Sequence, residues 1–218
     1  PKEIKTLIVS PEMLKVALAE RFFVTHAGVA YGDVVGTNLS HFQEEKLWST
    51  VKELSEETGI WILDATDAIT PDRIAQAIDE LEADFVVIDA AYKIRWDPKA
   101  RNRFDNLFAG VEMISGWSKR GWKGDRHIGI VADSQLNRSG TKGGSNRKPG
   151  DPPGQEALAM ADNIAWEADN LFLVERGTDD KYDGVVNLHT SKVRRMAEYK
   201  AKIQLRMNMQ TMDFSEIE

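Results

Sequence analysis

The 218-residue chain contains no cysteine, which excludes a disulfide framework and any thiolate metal site. No apolar run approaches the ~18 residues that a membrane-spanning helix needs, so no membrane association is expected. No signal peptide is expected either. Internal repeats and low-complexity tracts are missing. Basic charge is also in short supply: 28 Lys and Arg stand against 35 Asp and Glu, a net charge of −7. That balance argues against a protein coated with nucleic acid over its whole surface, while leaving room for local basic patches. What remains, 42% hydrophobic and 29% charged residues, is ordinary for a globular chain, and the length suits one large domain over residues 1–218. The lack of cysteine fits a reducing cytosol, and a cytoplasmic location is the expectation. The chain opens on Pro1 rather than Met and enters a strand almost at once, as a piece of a longer chain would.

The stretch that organises the rest is Asp84-Phe85-Val86-Val87-Ile88-Asp89, followed by Ala90-Ala91-Tyr92. Its apolar run, rich in β-branched residues, reads as a strand buried on both faces, as in a parallel sheet. Ligands in open α/β sheets bind outside the carboxyl ends of the strands, so Asp89 would be delivered to the rim of a site. An apolar run closed by Asp suits the water-mediated Mg²⁺ contact of nucleotide hydrolases. It also suits a simple cap for the next turn.

Ile4 to Val9 is a first buried strand, ending in Ser10-Pro11-Glu12-Met13. A helix follows with Leu14, Leu18, Phe22 and Phe23 at helical spacing. Gly28 to Leu39 reads as a loop with a short helix. Ser40 is a good N-cap for an amphipathic helix through Phe42, Leu47, Val51 and Leu54. Ile60 to Leu63 is a strand, and Thr70-Pro71 opens a helix through Ile74, Ile78 and Leu81. Beyond the Asp89 strand lie a charged connection and a helix from Phe104 to Lys119, with Leu107, Phe108, Val111 and Ile114 inward. His127 to Ala132 is the next strand, leading to Asp133-Ser134-Gln135. Asn137 to Gly154 is a long loop of the kind that is functional or disordered. Gln155 to Asp169 is helical, and strands follow at Leu171–Glu175, Val185–His189 and Lys202–Met209, with Asp183-Gly184 as a turn. Trp48, Trp61 and Trp117 are expected in the core. The whole reads as an α/β fold, a mostly parallel sheet flanked by helices with antiparallel C-terminal strands.

Several strands end in polar groups: Ser10 and Glu12, Asp64, Asp89, and Ser134 with Gln135. Parallel neighbours would gather these on one sheet edge. Glu12, two or three residues past its strand, could orient or deprotonate a water, or serve only as a first-turn helix acid. Gln135 can both donate and accept and so could sense a γ-phosphate, or be an ordinary loop residue. Lys192 and Arg194 would point the same way on an extended chain, or form a solvated basic edge.

Taken in order, these segments resemble the DnaB-type replicative helicases. Ser10-Pro11-Glu12-Met13 is similar to their S-x-E-M, Asp84 to Tyr92 to their Walker B strand, and Ser134 to Arg138 to their S-Q-L-x-R. Asp162 to Val174 is similar to their E-x-D-A-D junction, with the first Asp missing or displaced. Lys192-Val193-Arg194 matches their K-x-R finger, and Phe214 lies where they place a final strand aromatic. The resemblance implies a RecA-like ATPase core that uses ATP and Mg²⁺, works as a ring-shaped homo-hexamer on single-stranded DNA, and has a primase or helicase loader among its partners. It implies Glu12 as catalytic base, Asp89 as the ligand of Mg²⁺ through water, Ser10 beside the nucleotide, and Gln135 as the link between γ-phosphate and DNA loops. It places Lys192 and Arg194 in the neighbouring subunit's nucleotide site, where a trans Arg is worth ~10³–10⁵ in rate. The divergence of the motifs suggests a phage-encoded protein.

One departure stands out. No G-x-x-x-x-G-K-[ST] occurs in these residues. In the family, the phosphate loop and its helix precede the strand that here starts at Ile4, so the motif is expected upstream of Pro1. This chain alone is then expected to bind nucleotide poorly. For DNA, the loop residues Arg138, Lys142, Arg147 and Lys148 among glycines suit a phosphate backbone, with Arg95 and its basic neighbours as a second patch. Two other readings stay open: a recombinase or KaiC-like signalling ATPase on the same fold, and a non-catalytic interaction module that has lost its phosphate loop.

Overall fold

The computed structural model describes residues 4–57, 59–119, 122, 126–134, 164, 167–176, 184–193, 202–208 and 210–217. These divide into two compact units. The first is built on four parallel strands, β1 (Thr6–Ser10), β2 (Ile60–Asp64), β3 (Phe85–Ile88) and β4 (Gly129–Ala132), in the order β2-β1-β3-β4. The registers are regular: Thr6 lies opposite both Ile60 and Phe85, and Phe85 lies opposite Gly129. A regular parallel register brings the carboxyl ends of all four strands to the same edge.

Helix α4 (Pro71–Leu81) packs on this sheet through Ile74, Ala77 and Ile78. Its start follows from local chemistry. The Thr70 hydroxyl accepts the Arg73 N–H at 3.2 Å, and Pro71 occupies the first helical position, where its missing N–H costs nothing. It ends at Glu82, which adopts the left-handed conformation with φ 51°. Helix α5 (Arg103–Lys119) turns Leu107 and Gly110 inward and rests Met113, Ile114 and Trp117 against the same core. Leu7, Val9, Val86 and Ile88 from β1 and β3 form the middle of that core. Gly110 is required there: a Cβ would sit 2.5 Å from Cδ1 of the buried Trp96.

The second unit holds most of α1 (Lys15–Ala27), the short α2 (Tyr31–Val35), α3 (His41–Glu57) and an antiparallel sheet. That sheet runs β5 (Asn170–Arg176), β6 (Val185–Val193), β7 (Lys202–Asn208), β8 (Asp213–Glu216) in sequence order. Phe214 lies on β8, opposite Met207. The expected α/β architecture is therefore present, with the C-terminal antiparallel strands forming a sheet of their own among the described residues.

Several inward-facing expectations are corrected. Trp48 is 64% exposed and Trp61 38%. Trp61 lies on β2, which ends the described parallel sheet, and α3 turns Leu47, Thr50, Val51 and Leu54 inward while Phe42 stays outside. Helix α1 begins at Lys15, leaving Leu14 and Phe22 exposed and burying Val24 and Ala27. On α5, Phe108 is exposed, because the close contact of Gly110 with Trp96 sets which stripe faces the sheet. Trp117 does rest on the core, its ring 6.1 Å from that of Trp96.

Candidate active site

The site lies at the carboxyl edge of the parallel sheet. β1 closes with Ser10, fully buried, whose Oγ accepts the Met13 N–H at 3.2 Å. That bond curls the link carrying Glu12 over the sheet edge. On the adjacent strand, Asp89 follows Ile88 and donates its N–H to the Val9 carbonyl at 2.9 Å, so it lies beside the end of β1. The Asp89–Ala90 peptide bond is cis. After β4, Asp133 donates its N–H to the Ile88 carbonyl and accepts the Ala91 N–H, both at 3.1 Å. On the other flank β2 closes with Asp64, whose buried carboxylate accepts the Lys15 N–H at 2.6 Å and both donors of Thr66.

A helical turn at Ala91–Lys93 completes the group. The Tyr92 hydroxyl donates to Glu12 Oε1 at 2.9 Å, and Lys93 Nζ lies 3.0 Å from the same oxygen. The Arg103 guanidinium stands 4.8 Å from the Tyr92 ring centre and the Lys93 ammonium 5.6 Å. Two buried anchors fix the turn: the Trp96 indole N–H donates to the Ala91 carbonyl at 2.8 Å, and Ile94 packs into the core.

These contacts set the ionisation of the site. The Lys93 ammonium, then the Tyr92 hydroxyl, hold the Glu12 carboxyl below the usual carboxylate range. Glu12 in turn pushes the Tyr92 phenol and the Lys93 ammonium up. The Lys15 amide, then Thr66, hold Asp64 low, as a carboxylate at a helix start should be. Asp133 goes the other way, pushed up to about 6 by loss of water and by repulsion from Asp89 and Glu12. Asp133 is still an exposed residue, so solvent screens part of that effect.

The structure thus brings Ser10, Glu12 and Asp89 together. Gln135, Arg138, Lys142, Arg147, Lys148 and Arg194 lie outside the described residues. Lys192 lies on β6, opposite Leu171 and half-buried. Arg95 is exposed, its guanidinium donating to the Pro98 carbonyl at 2.8 Å. Sequence reasoning passed over Tyr92, Lys93 and Asp133 as site residues. The available signal was position: each falls within five residues of the end of a parallel strand.

Among the described residues no three His, Asp or Glu side chains come together as a metal cage. A sheet edge that offers one or two carboxylates suits Mg²⁺, which is commonly held by that few together with substrate phosphates and water.

Residues 1–216 match the model of the DnaB-like helicase C-terminal domain. No curated protein sequence matches significantly. Among solved structures, the chain is similar to a DnaB-like replicative helicase described together with its interactions with primase, with a TM-score of 0.78 at 18% identity. The match covers 99% of this chain and 51% of that one, so the chain spans about half the length of that relative. It is also similar to a second protein, solved as its ATPase domain, with a TM-score of 0.76 at 18% identity over 99% of this chain and 75% of that one. Likeness at this identity speaks for the fold alone, while the family match reaches almost from end to end. The chain belongs to the DnaB-like helicase C-terminal domain family.

Proposed function

We propose that these residues form the ATP-hydrolysing motor of a replicative DNA helicase that moves along single-stranded DNA as a ring of six subunits. The observation that carries this reading is the juxtaposition of Glu12 and Asp89 at the ends of two neighbouring parallel strands. A nucleotide hydrolase needs an ionised carboxylate to receive a proton from the attacking water, and a second acid near the phosphates for the metal. Glu12 fills the first role, kept ionised by Lys93 and Tyr92. Asp89 would fill the second, as the residue that holds Mg²⁺. When bound, that ion would supply charge neutralisation at the phosphates. Gln135 reads the γ-phosphate. Lys192 and Arg194 are supplied to the neighbouring subunit, and Arg138, Lys142, Arg147, Lys148 and Arg95 touch the DNA backbone. A primase or a loader is a further partner on this reading.

The test is ATP hydrolysis by the intact protein, with and without single-stranded DNA. Glu12→Gln is expected to lower kcat by ~10²–10⁴ with binding retained, and Asp89→Asn to weaken the Mg²⁺ dependence. DNA binding should fall steeply with salt. Wild-type hydrolysis by Glu12→Gln, or no binding of single-stranded DNA by the assembled ring, refutes the reading. Filaments along DNA in place of closed rings would move it to a recombinase.

A further inference from the structure

We propose that Tyr92 and Lys93 are positioning residues for hydrolysis: together they grip one oxygen of Glu12, Oε1, and leave Oε2 to take the proton from the attacking water. This rests on the reading of Glu12 as the base.

Glu12 needs such help. It lies in the link between β1 and α1, its side chain 38% exposed. A Glu side chain in that setting has several rotamers open to it, and restricting them carries an entropic cost. A base misplaced by about 1 Å can lose ~10² in rate. The observed contacts supply the restraint. Both donors converge on Oε1, at 2.9 and 3.0 Å. Among the described residues, Oε2 receives no hydrogen bond.

The donors are themselves held. They belong to the turn that follows Asp89, and that turn is pinned at the Ala91 carbonyl by Trp96 and at the Ala91 amide by Asp133. The Tyr92 ring is half-buried and faces the Arg103 guanidinium. One rigid segment therefore carries the Asp89 carboxylate at its start and the grip on Glu12 three and four residues later. The distance between metal site and base is set within a single turn of chain.

Stability alone would not explain the pair. An exposed ion pair adds little to stability, and a Lys on any nearby surface position would serve as well. What the pair does accomplish is electrostatic. Asp89 and Asp133 lie on the neighbouring strand ends, and Glu12 and Asp133 repel each other. A triphosphate would add further negative charge. Lys93 and Tyr92 oppose that repulsion at the one carboxylate that must stay ionised.

The experiment measures kcat and KM for MgATP in the intact protein with single-stranded DNA. Lys93→Met and Tyr92→Phe are expected to lower kcat by about 10- to 100-fold and about 3- to 10-fold, with KM within about twofold. Lys93→Arg should restore kcat to within about threefold of wild type. Because the grip acts through Glu12, adding Lys93→Met to Glu12→Gln should lower the rate no further. A second readout needs no turnover. In the nucleotide-free protein the Lys93 ammonium should show an NMR signal protected from exchange, and Glu12→Gln should weaken that protection.

Unchanged kcat in both single variants, with Glu12→Gln inactive, overturns this proposal and spares the base. A higher kcat in Lys93→Met, or a further loss on top of Glu12→Gln, also overturns it. Full activity in Glu12→Gln overturns the underlying reading instead.

Discussion

Replacing Gly110 by Ala tests how tightly the site's supporting layer is packed. The added methyl would meet three atoms of the Trp96 indole at 2.5, 2.6 and 2.7 Å. Carbon atoms prefer about 3.5–4.0 Å, so roughly 1 Å of movement is needed. Trp96 has little room to yield. It is 2% exposed, donates to the Ala91 carbonyl at 2.8 Å and stands against the Trp117 ring. Overpacking of this kind costs ~1–3 kcal/mol, while the helix preference of Ala over Gly returns ~1 kcal/mol. If the indole swings away, the Ala91 carbonyl loses its partner at a further ~1–3 kcal/mol. Taking midpoints, Gly110→Ala should destabilise by about 3 kcal/mol. Urea unfolding followed by tryptophan fluorescence would measure it. Gly32→Ala is the control, since beyond its own helix backbone and chain neighbours nothing lies within 4 Å of its Cβ position; it should be neutral or stabilise by up to ~1 kcal/mol. A Gly110→Ala midpoint indistinguishable from wild type would refute the close approach of α5 to Trp96.

Three further substitutions probe other parts of the first unit. Glu82 closes α4 with φ 51°, and its ion pair with Lys5 is largely exposed. Glu82→Gly should therefore stabilise by ~0.5 kcal/mol, relief of the left-handed backbone outweighing the entropy of Gly; a lower urea midpoint would contradict this. Thr70→Ala removes the N-cap acceptor of Arg73 and should cost ~1 kcal/mol, with Thr70→Ser recovering most of it. Asp133 is pushed up to about 6, above the value of about 3.9 in an unfolded chain. Between those values the folded protein holds the extra proton, so stability should fall as pH rises from about 4 to 6. Thermal melts of Asp133→Asn should lack that decline and exceed wild type at pH 7, by no more than ~1 kcal/mol given the residue's exposure.

The parallel sheet was legible because its strands are apolar runs with abrupt polar ends. Phe85 to Ile88 and Thr6 to Val9 needed no partner to be recognised. The gathering of Ser10, Glu12 and Asp89 at one edge followed from parallel pairing alone. Periodicity failed where an apolar residue lay off the buried stripe, as with Trp48 on α3 and Phe108 on α5. A single chain does not reveal which neighbour a helix face meets, and Gly110, the residue that decides it for α5, carries no hydrophobic signal. The partners of Glu12 were hidden for a related reason. Tyr92 and Glu12 lie 80 positions apart, and only the β1–β3 register makes them neighbours.

The segment between Ser10 and Lys15 resembles a footbridge with both abutments set in stone. At one end the Ser10 hydroxyl takes the Met13 amide, and at the other the Asp64 carboxylate takes the amide that opens α1. Adding or deleting one residue there would shift the chain by about 3.5 Å, and neither footing could follow. Substitutions at Pro11 and Leu14 should be widely tolerated in this span, whereas changes of length should not.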